Sequence, residues 1–187
     1  MSISPGSRYV ALGSSFAAGP FLGRRAKGAP AASGRSRSNY AHLVATDLEL
    51  DLVDVTFSGA TAREILEGGV RPPQVSAIGT DTALVTITCG GNDVGYIPLL
   101  AAASGPARSA AARENRARLA SRERADVALN GIGETLRALA RDIRSRAPGA
   151  VVVFADYLTV LPPDASIAAS PVPVSYTHLT LPTNREV

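Results

Sequence analysis

Short apolar runs alternate along the chain with segments whose apolar residues recur at helical spacing. Arg8-Tyr-Val-Ala-Leu12 closes on Gly13-Ser14-Ser15, which predicts a strand entering a turn. Residues 19–38 are rich in Gly, Pro, Ser, Arg and Lys, the composition of a surface loop. From Asn39 to Glu49, Tyr40, Leu43, Val44 and Leu48 share one helical face, with Ser38 or Asn39 placed to cap it. Leu52–Phe57 predicts a second strand, Ser58-Gly-Ala-Thr61 a turn, and Thr61–Leu66 the start of a helix. Ala83–Thr88 is rich in β-branched residues and predicts a third strand, ending at Cys89-Gly-Gly-Asn-Asp93. Residues 107–146 predict the longest helix, with Leu119, Val127, Leu129, Ile132, Leu136, Leu139, Ala140 and Ile143 as its apolar stripe. Gly131 and Gly133 mark a weak point or a break in it. Pro148-Gly149 ends the helix, and Ala150–Ala155 predicts a fourth strand. Strands alternating with helices imply a mainly parallel sheet with helices on both faces, and near-continuous apolar strands suit a sheet covered on both sides. There is no internal repeat.

Composition narrows the class. With 187 residues, 45% hydrophobic and 19% charged, the chain is one domain's length and has a real core to bury. Its longest apolar runs are strand length, far short of the ~20 residues of a membrane-spanning helix. One cysteine, Cys89, excludes an intramolecular disulfide framework, and two histidines, His42 and His178, leave little room for a His-based metal centre. No metal or organic cofactor is expected. Without Trp, and with nine Phe and Tyr together, stacking platforms for single-stranded nucleic acid are not expected either. The net charge of +3 is mostly an arginine excess that gathers in Arg108–Arg146. There Arg113, Arg116, Arg118, Arg122 and Arg124 are interleaved with Glu114, Glu123, Asp126, Glu134 and Asp142, which suits an ion-paired, solvated face better than a nucleic-acid site. The first residues lack a basic segment followed by an apolar one, so the expected compartment is the cytoplasm, with secretion open if translation starts elsewhere.

The last fourteen residues, 174–187, break with the rest in composition. Back-translated, Val174–Thr183 resembles a transposase adapter used in sequencing libraries, and Asn184–Val187 fits its continuation to a stop codon. The expectation is that residues 1–173 are the native portion and 174–187 a non-native tail. His178 then carries no evidence for catalysis.

Three turns hold the candidate chemistry: Gly13-Ser14-Ser15, Ser58-Gly59-Ala60 and Gly90-Gly91-Asn92-Asp93. In a parallel α/β sheet all three fall at the C-terminal edge, where ligands bind. A serine at a strand-to-helix turn presents its hydroxyl and its backbone N–H together, as a nucleophile beside an oxyanion donor. Glycine allows close approach of backbone to substrate, and Asn92 adds a side-chain amide donor. Taken singly, each is an ordinary turn or cap; order, spacing and strand context make the set specific. His42 lies on a helix among apolar residues and reads as structural, Cys89 as a small core residue, Asp93 as a helix cap or a partner of Asn92.

Tyr9–Gly19, Val53–Thr61 and Val85–Gly95 resemble the first three sequence blocks of the SGNH, or GDSL, hydrolases, and Val151–Pro162 is similar to the strand and loop that follow. The resemblance spans about residues 8–163. It implies a three-layer α/β/α sandwich on a flavodoxin-like parallel sheet and hydrolysis of ester bonds, with acyl lipids, acetylated sugars or small esters as substrates. It also implies that Ser15 is the nucleophile, and that Ser15, Gly59 and Asn92 form the oxyanion hole. Two positions depart from the pattern. Ser14 stands where the family has Asp, and the Asp-x-x-His block is absent, since Ser175 stands three residues before His178. The family's catalytic His and orienting Asp would lie downstream, and Asp156, just after the fourth strand, is not nominated.

A serine without its base is a weak nucleophile, so this polypeptide is expected to have little esterase activity. The rival from another class is a non-catalytic module that keeps the oxyanion pocket to hold a carboxylate or an acetyl group. A phosphate-binding reading of Gly13-Ser14-Ser15 is disfavoured, because no Walker lysine and no Gly-x-Gly-x-x-Gly spacing accompany it. The oligomeric state cannot be read from the sequence. Poor solubility is expected if the sheet keeps an open edge.

Overall fold

A computed structural model describes residues 3–96, 110, 113, 114, 117 and 121–157 of the chain. His178, residues 174–187, Arg108, Arg116, Arg118, Leu119 and the end of the fourth resemblance block lie outside the described residues. The chain divides into two compact units, Met1–Gly90 with Gly133–Ala155, and Gly91–Ile132 with Asp156–Val187.

Among the described residues, the first unit is built on a sheet of four parallel strands: β1 (Arg8–Gly13), β2 (Asp51–Asp54), β3 (Thr82–Thr88) and β4 (Val151–Phe154). They lie in the order β2-β1-β3-β4, so the winding reverses at β1. That is the doubly wound arrangement, whose ligand crevice forms where the strand order reverses. The central strands β1 and β3 are buried almost throughout, as their β-branched and apolar letters predict for strands covered on both faces. Tyr9 and Leu84 are register partners, and so are Ala11 and Thr86. Tyr9, Leu84 and Ala11 pack with Ala41 and Ala45 of helix α2 (Tyr40–Asp47) into one core cluster. The Tyr9 hydroxyl inside it bonds Thr86 Oγ1 at 2.7 Å, which satisfies a polar group that would otherwise be costly to bury. Val10, Leu12, Val85 and Ile87 alternate to the opposite face and are equally buried. Helix α3 (Ala62–Glu67) and the 3-10 turn Gln74–Ala77 lie against β1.

Five local outcomes refine the expectations. Asn39, not Ser38, caps α2, its Oδ1 accepting the His42 N–H at 3.0 Å. Thr61 and Glu64 form a reciprocal capping box at α3. β2 stops at Asp54 rather than Phe57, because the Asp54 carboxylate turns back to accept Thr56 N–H at 3.0 Å and Thr56 Oγ1 at 2.7 Å. Helix α4 (Arg122–Arg146) runs unbroken through Gly131 and Gly133. The glycine penalty, about 1 kcal/mol each, is spread over 25 residues and opposed by burial of Leu139 and Ile143. A one-turn helix, α1 (Ser15–Ala18), had no periodicity to announce it. Among the described residues, no helix is long and apolar enough to cross a membrane.

Candidate active site

The first turn is shaped at Gly13, whose φ is +142°. A Cβ there would lie 2.5 Å from the Thr88 carbonyl oxygen and 2.6 Å from Ala17 Cβ, so only glycine fits. Gln74 holds both polar groups of this residue: Gly13 N–H donates to Gln74 Oε1 at 2.8 Å, and Gln74 Nε2 donates to the Gly13 carbonyl at 3.1 Å. The side-chain amide thus acts as a short extra strand beside β1. Ser14 follows, fully buried, its N–H donating to Thr88 O at 2.9 Å. A neutral hydroxyl there avoids the cost of desolvating the carboxylate usual at this place in the resembling family. Ser15 is the first residue of α1 and half-buried. Its carbonyl accepts from Gly19, which ends the turn in the left-handed conformation, while its own N–H makes no hydrogen bond among the described residues. Chain direction requires this, since the first amides of a helix have no intrahelical acceptor.

The second turn follows β2. Ser58 N–H donates to Ser33 O at 2.9 Å, and Ala60 N–H to Phe57 O at 3.1 Å. Gly59 between them is exposed, with φ +85° and open space where a Cβ would be. Its amide, like that of Ser15, makes no hydrogen bond among the described residues. Because β1 and β2 are parallel neighbours, Ser15 and Gly59 stand at the same edge of the sheet. Phe57 N–H donates to the Gly13 carbonyl at 3.0 Å and ties the two turns together. Beside them opens a cleft of ≈ 340 Å³ that includes Phe57, Ala60, Arg71, Pro72 and Gln74. Arg71 covers the Phe57 ring at 3.9 Å.

Asn92 belongs to the second unit, in the turn 91–95, and is half-buried. Tyr157 fixes the start of this turn: Gly91 N–H donates to the Tyr157 hydroxyl at 3.0 Å, and a Cβ on Gly91 would meet that oxygen at 2.9 Å. Gly91 O accepts from Tyr96 N–H at 2.8 Å. Cys89, which precedes the turn, is buried and not disulfide-bonded. Asp156 is exposed and accepts from the Tyr157 N–H.

Sequence reasoning missed Gln74 and the network around Asn39. Gln74 follows two prolines and carries no motif. Asn39, besides capping α2, donates Nδ2 to Ala18 O at 3.2 Å and to Asp54 Oδ2 at 2.9 Å. Those donations fix its amide orientation, so Asn39 Oδ1 is an acceptor and His42 Nδ1, 2.9 Å away, carries the proton toward it. His42 therefore serves the junction of α1, α2 and β2, in keeping with a structural role.

The family description GDSL-like Lipase/Acylhydrolase matches residues 11–178. Among curated proteins, Lipase 2 of Streptomyces coelicolor is 40% identical over 93 residues, 48% of this chain and 31% of that protein. The chain thus spans less than a third of that relative. Among solved structures, the extracellular lipase of Streptomyces rimosus superposes with a TM-score of 0.70 at 25% identity, covering 89% of this chain and 67% of the other. The phospholipase A1 of Streptomyces albidoflavus gives 0.69 at 23% identity, covering 86% and 64%.

Proposed function

The chain belongs to the GDSL-like lipase/acylhydrolase family, and from that premise we propose a serine ester hydrolase that works by acyl transfer through Ser15. The observation that carries the reading is the pair of amides, Ser15 and Gly59, that make no hydrogen bond among the described residues and stand at one edge of the sheet beside the Ser15 hydroxyl. Ser15 Oγ attacks the ester carbonyl carbon, and its proton passes through solvent or an added base to the departing alcohol oxygen. The oxygen that gains charge takes hydrogen bonds from the Ser15 N–H and the Gly59 N–H, and the family resemblance implies the Asn92 side-chain amide as the third donor. The tetrahedral species collapses with loss of the alcohol, and water then releases the acid from the acyl-serine. The largely apolar cleft beside Gly59 suits the acyl or alcohol portion of an acyl lipid or small ester.

The base is not supplied by His42, which is committed to Asn39, and His178 lacks the Asp-x-x-His pattern. This 187-residue polypeptide is therefore a slow esterase, reduced by about 10⁶-fold in kcat relative to an intact triad on the scale of known triad deletions. Chemical rescue tests the reading: p-nitrophenyl acetate hydrolysis is followed with and without added imidazole, with the Ser15→Ala protein as blank. The expected result is a Ser15-dependent rate that rises with imidazole and falls about 10²-fold in Asn92→Ala. No Ser15-dependent rate under either condition would sink the enzyme reading in favour of a binding module. A rate that needs no imidazole and vanishes in His178→Ala would show that the tail supplies the base.

A further inference from the structure

The charge of this chain is distributed unevenly. All 16 acidic residues lie at or beyond Asp47, whereas six of the 19 Lys and Arg precede it. Five of those six, Arg24, Arg25, Lys27, Arg35 and Arg37, fall in the loop that leaves α1. Arg35 is partly buried and donates to the Asp54 carbonyl. The other four are exposed, and no salt bridge among the described residues uses them.

The same loop exposes apolar side chains that a solvated connection has no reason to carry. Phe21 is fully exposed and Leu22 is 56% exposed, and just before the loop, in α1, Phe16 is 42% exposed next to Ser15. Phe21 also sits at φ +71°, a left-handed conformation unfavourable for a bulky residue and a pointer to function where the surroundings hold it. Here they do. Leu22 N–H donates to Gly19 O, and Ser36, itself buried, donates its N–H to Ala18 O and its Oγ to Leu22 O. Ala26 N–H to Arg35 O and Arg37 N–H to Arg24 O close a small antiparallel ribbon bridged at Arg25 and Ser36. The hydrophobic tip and its basic flanks are thus presented by an ordered backbone. It starts at Gly19, one helical turn from Ser15.

We propose that this loop docks the protein on an anionic lipid–water interface. Phe21 and Leu22 enter the acyl boundary, and Arg24, Arg25, Lys27 and Arg37 meet the headgroup phosphates. Neither half binds stably alone, but an apolar insertion and a basic cluster together are the two signals that interfacial anchoring needs. A nucleic acid would also attract the cations, but an exposed aliphatic side chain such as Leu22 gains little against phosphates and base edges, while it gains fully in acyl chains. The inference rests on the ester-hydrolase reading and deepens it, since it delivers acyl lipid packed at a surface to the neighbourhood of Ser15.

Co-sedimentation with vesicles tests it and needs no turnover, so its failure is separable from failure of the enzyme reading. The 187-residue chain is mixed with phosphatidylcholine vesicles with and without phosphatidylglycerol, with circular dichroism to confirm that each variant is folded. Binding is expected only with phosphatidylglycerol, and it should fade as ionic strength rises from about 0.1 to about 1 M, where the screening length shortens from about 10 to about 3 Å. The double variant Arg24→Ala/Arg25→Ala should weaken it about 25-fold, at about fivefold per cation. Phe21→Ser/Leu22→Ser should weaken it at least about tenfold without altering the salt dependence. Ser15→Ala should bind like the parent. Absence of binding to the anionic vesicles, or binding indifferent to Phe21 and Leu22, overturns the proposal. Duplex DNA displacing the vesicles, with only the cation variant affected, overturns it in favour of a polyanion site. Vesicle binding without Ser15-dependent hydrolysis supports the proposal and counts against the enzyme reading.

Discussion

At Gly13 the fold leaves no room for even a methyl group, because the Thr88 carbonyl and Ala17 Cβ occupy the space a Cβ would take. Gly13→Ala should therefore lower stability by about 2–4 kcal/mol, through steric overlap and a positive φ acting together, and urea denaturation at neutral pH measures it. Recovery of parental stability would mean that β1 and β3 separate more readily than their register suggests. A pH-linked outcome belongs to Tyr9 and Tyr40, whose phenols are pushed up from 10 chiefly by burial. For an acid whose folded pKa is raised, the stability contribution is complete below the unfolded value and is lost as pH climbs past it. Stability should thus be flat to about pH 10 on this account and fall beyond it. Absorbance at the tyrosinate band should show these two phenols ionising only as the fold is lost. Tyr9→Phe should soften the alkaline decline, while leaving Thr86 Oγ1 without its 2.7 Å partner and costing about 1 kcal/mol at neutral pH.

Among the elements, α1, α2 and β2 meet at one asparagine. Asn39 caps α2, holds the last carbonyl of α1 and bonds the Asp54 carboxylate. Asn39→Asp keeps the capping acceptor but sets a second carboxylate where the amide lies 2.9 Å from Asp54 Oδ2. Two carboxylates so close cannot both ionise cheaply, so one pKa rises. The variant should be destabilised by about 2 kcal/mol or more at pH 7 and regain stability as pH falls toward about 4. Thermal melts at the two pH values check this, and equal losses at both would remove the charge argument. A conventional cap gives the comparison: Thr61→Ala, which breaks the box with Glu64, should cost about 1 kcal/mol independently of Asn39. The cap positions, the four strands and the turns carrying Ser15, Gly59 and Asn92 were legible in the sequence, because they depend on local spacing and on Gly, Ser, Thr and Asn at element ends. The long reach of Asn39 to Ala18 and Asp54 and the clamp of Gln74 on Gly13 were not, since they join residues 15 to 61 apart whose letters repeat nothing. The end of β2 was misread because Val55 and Phe57 look like strand residues, while the turn is made by the Asp54 side chain. Continuity of α4 was not legible because two local glycine penalties point to a break, while the buried face that opposes them, with Leu139 and Ile143, is a property of the whole helix.

For the molecule as a whole, the outer strand of the sheet is the weak point. Among the described residues β4 pairs with β3 alone. Its alternating side chains Val151 and Val153 are each 44% exposed on one face, where β1 and β3 are buried. A short, β-branched strand that among the described residues has one unpaired edge and a half-exposed apolar face offers a template for another chain, and no charge or proline interrupts it between 151 and 154. The formal charge of +3 gives little colloidal repulsion at neutral pH. The 187-residue chain should therefore self-associate as its concentration rises, read as growing mass in light scattering, and added salt should promote it by screening what repulsion there is. Val151→Lys and Val153→Lys together should raise the soluble concentration several-fold. Each ammonium can stay in water on a half-exposed side chain, and β1, β3 and their core partners are untouched, so the unfolding midpoint should move little. A parent chain that stays monomeric at high concentration would refute this account of β4. A lysine pair that unfolds the protein would show instead that both valines are held by apolar contacts stronger than their exposure implies.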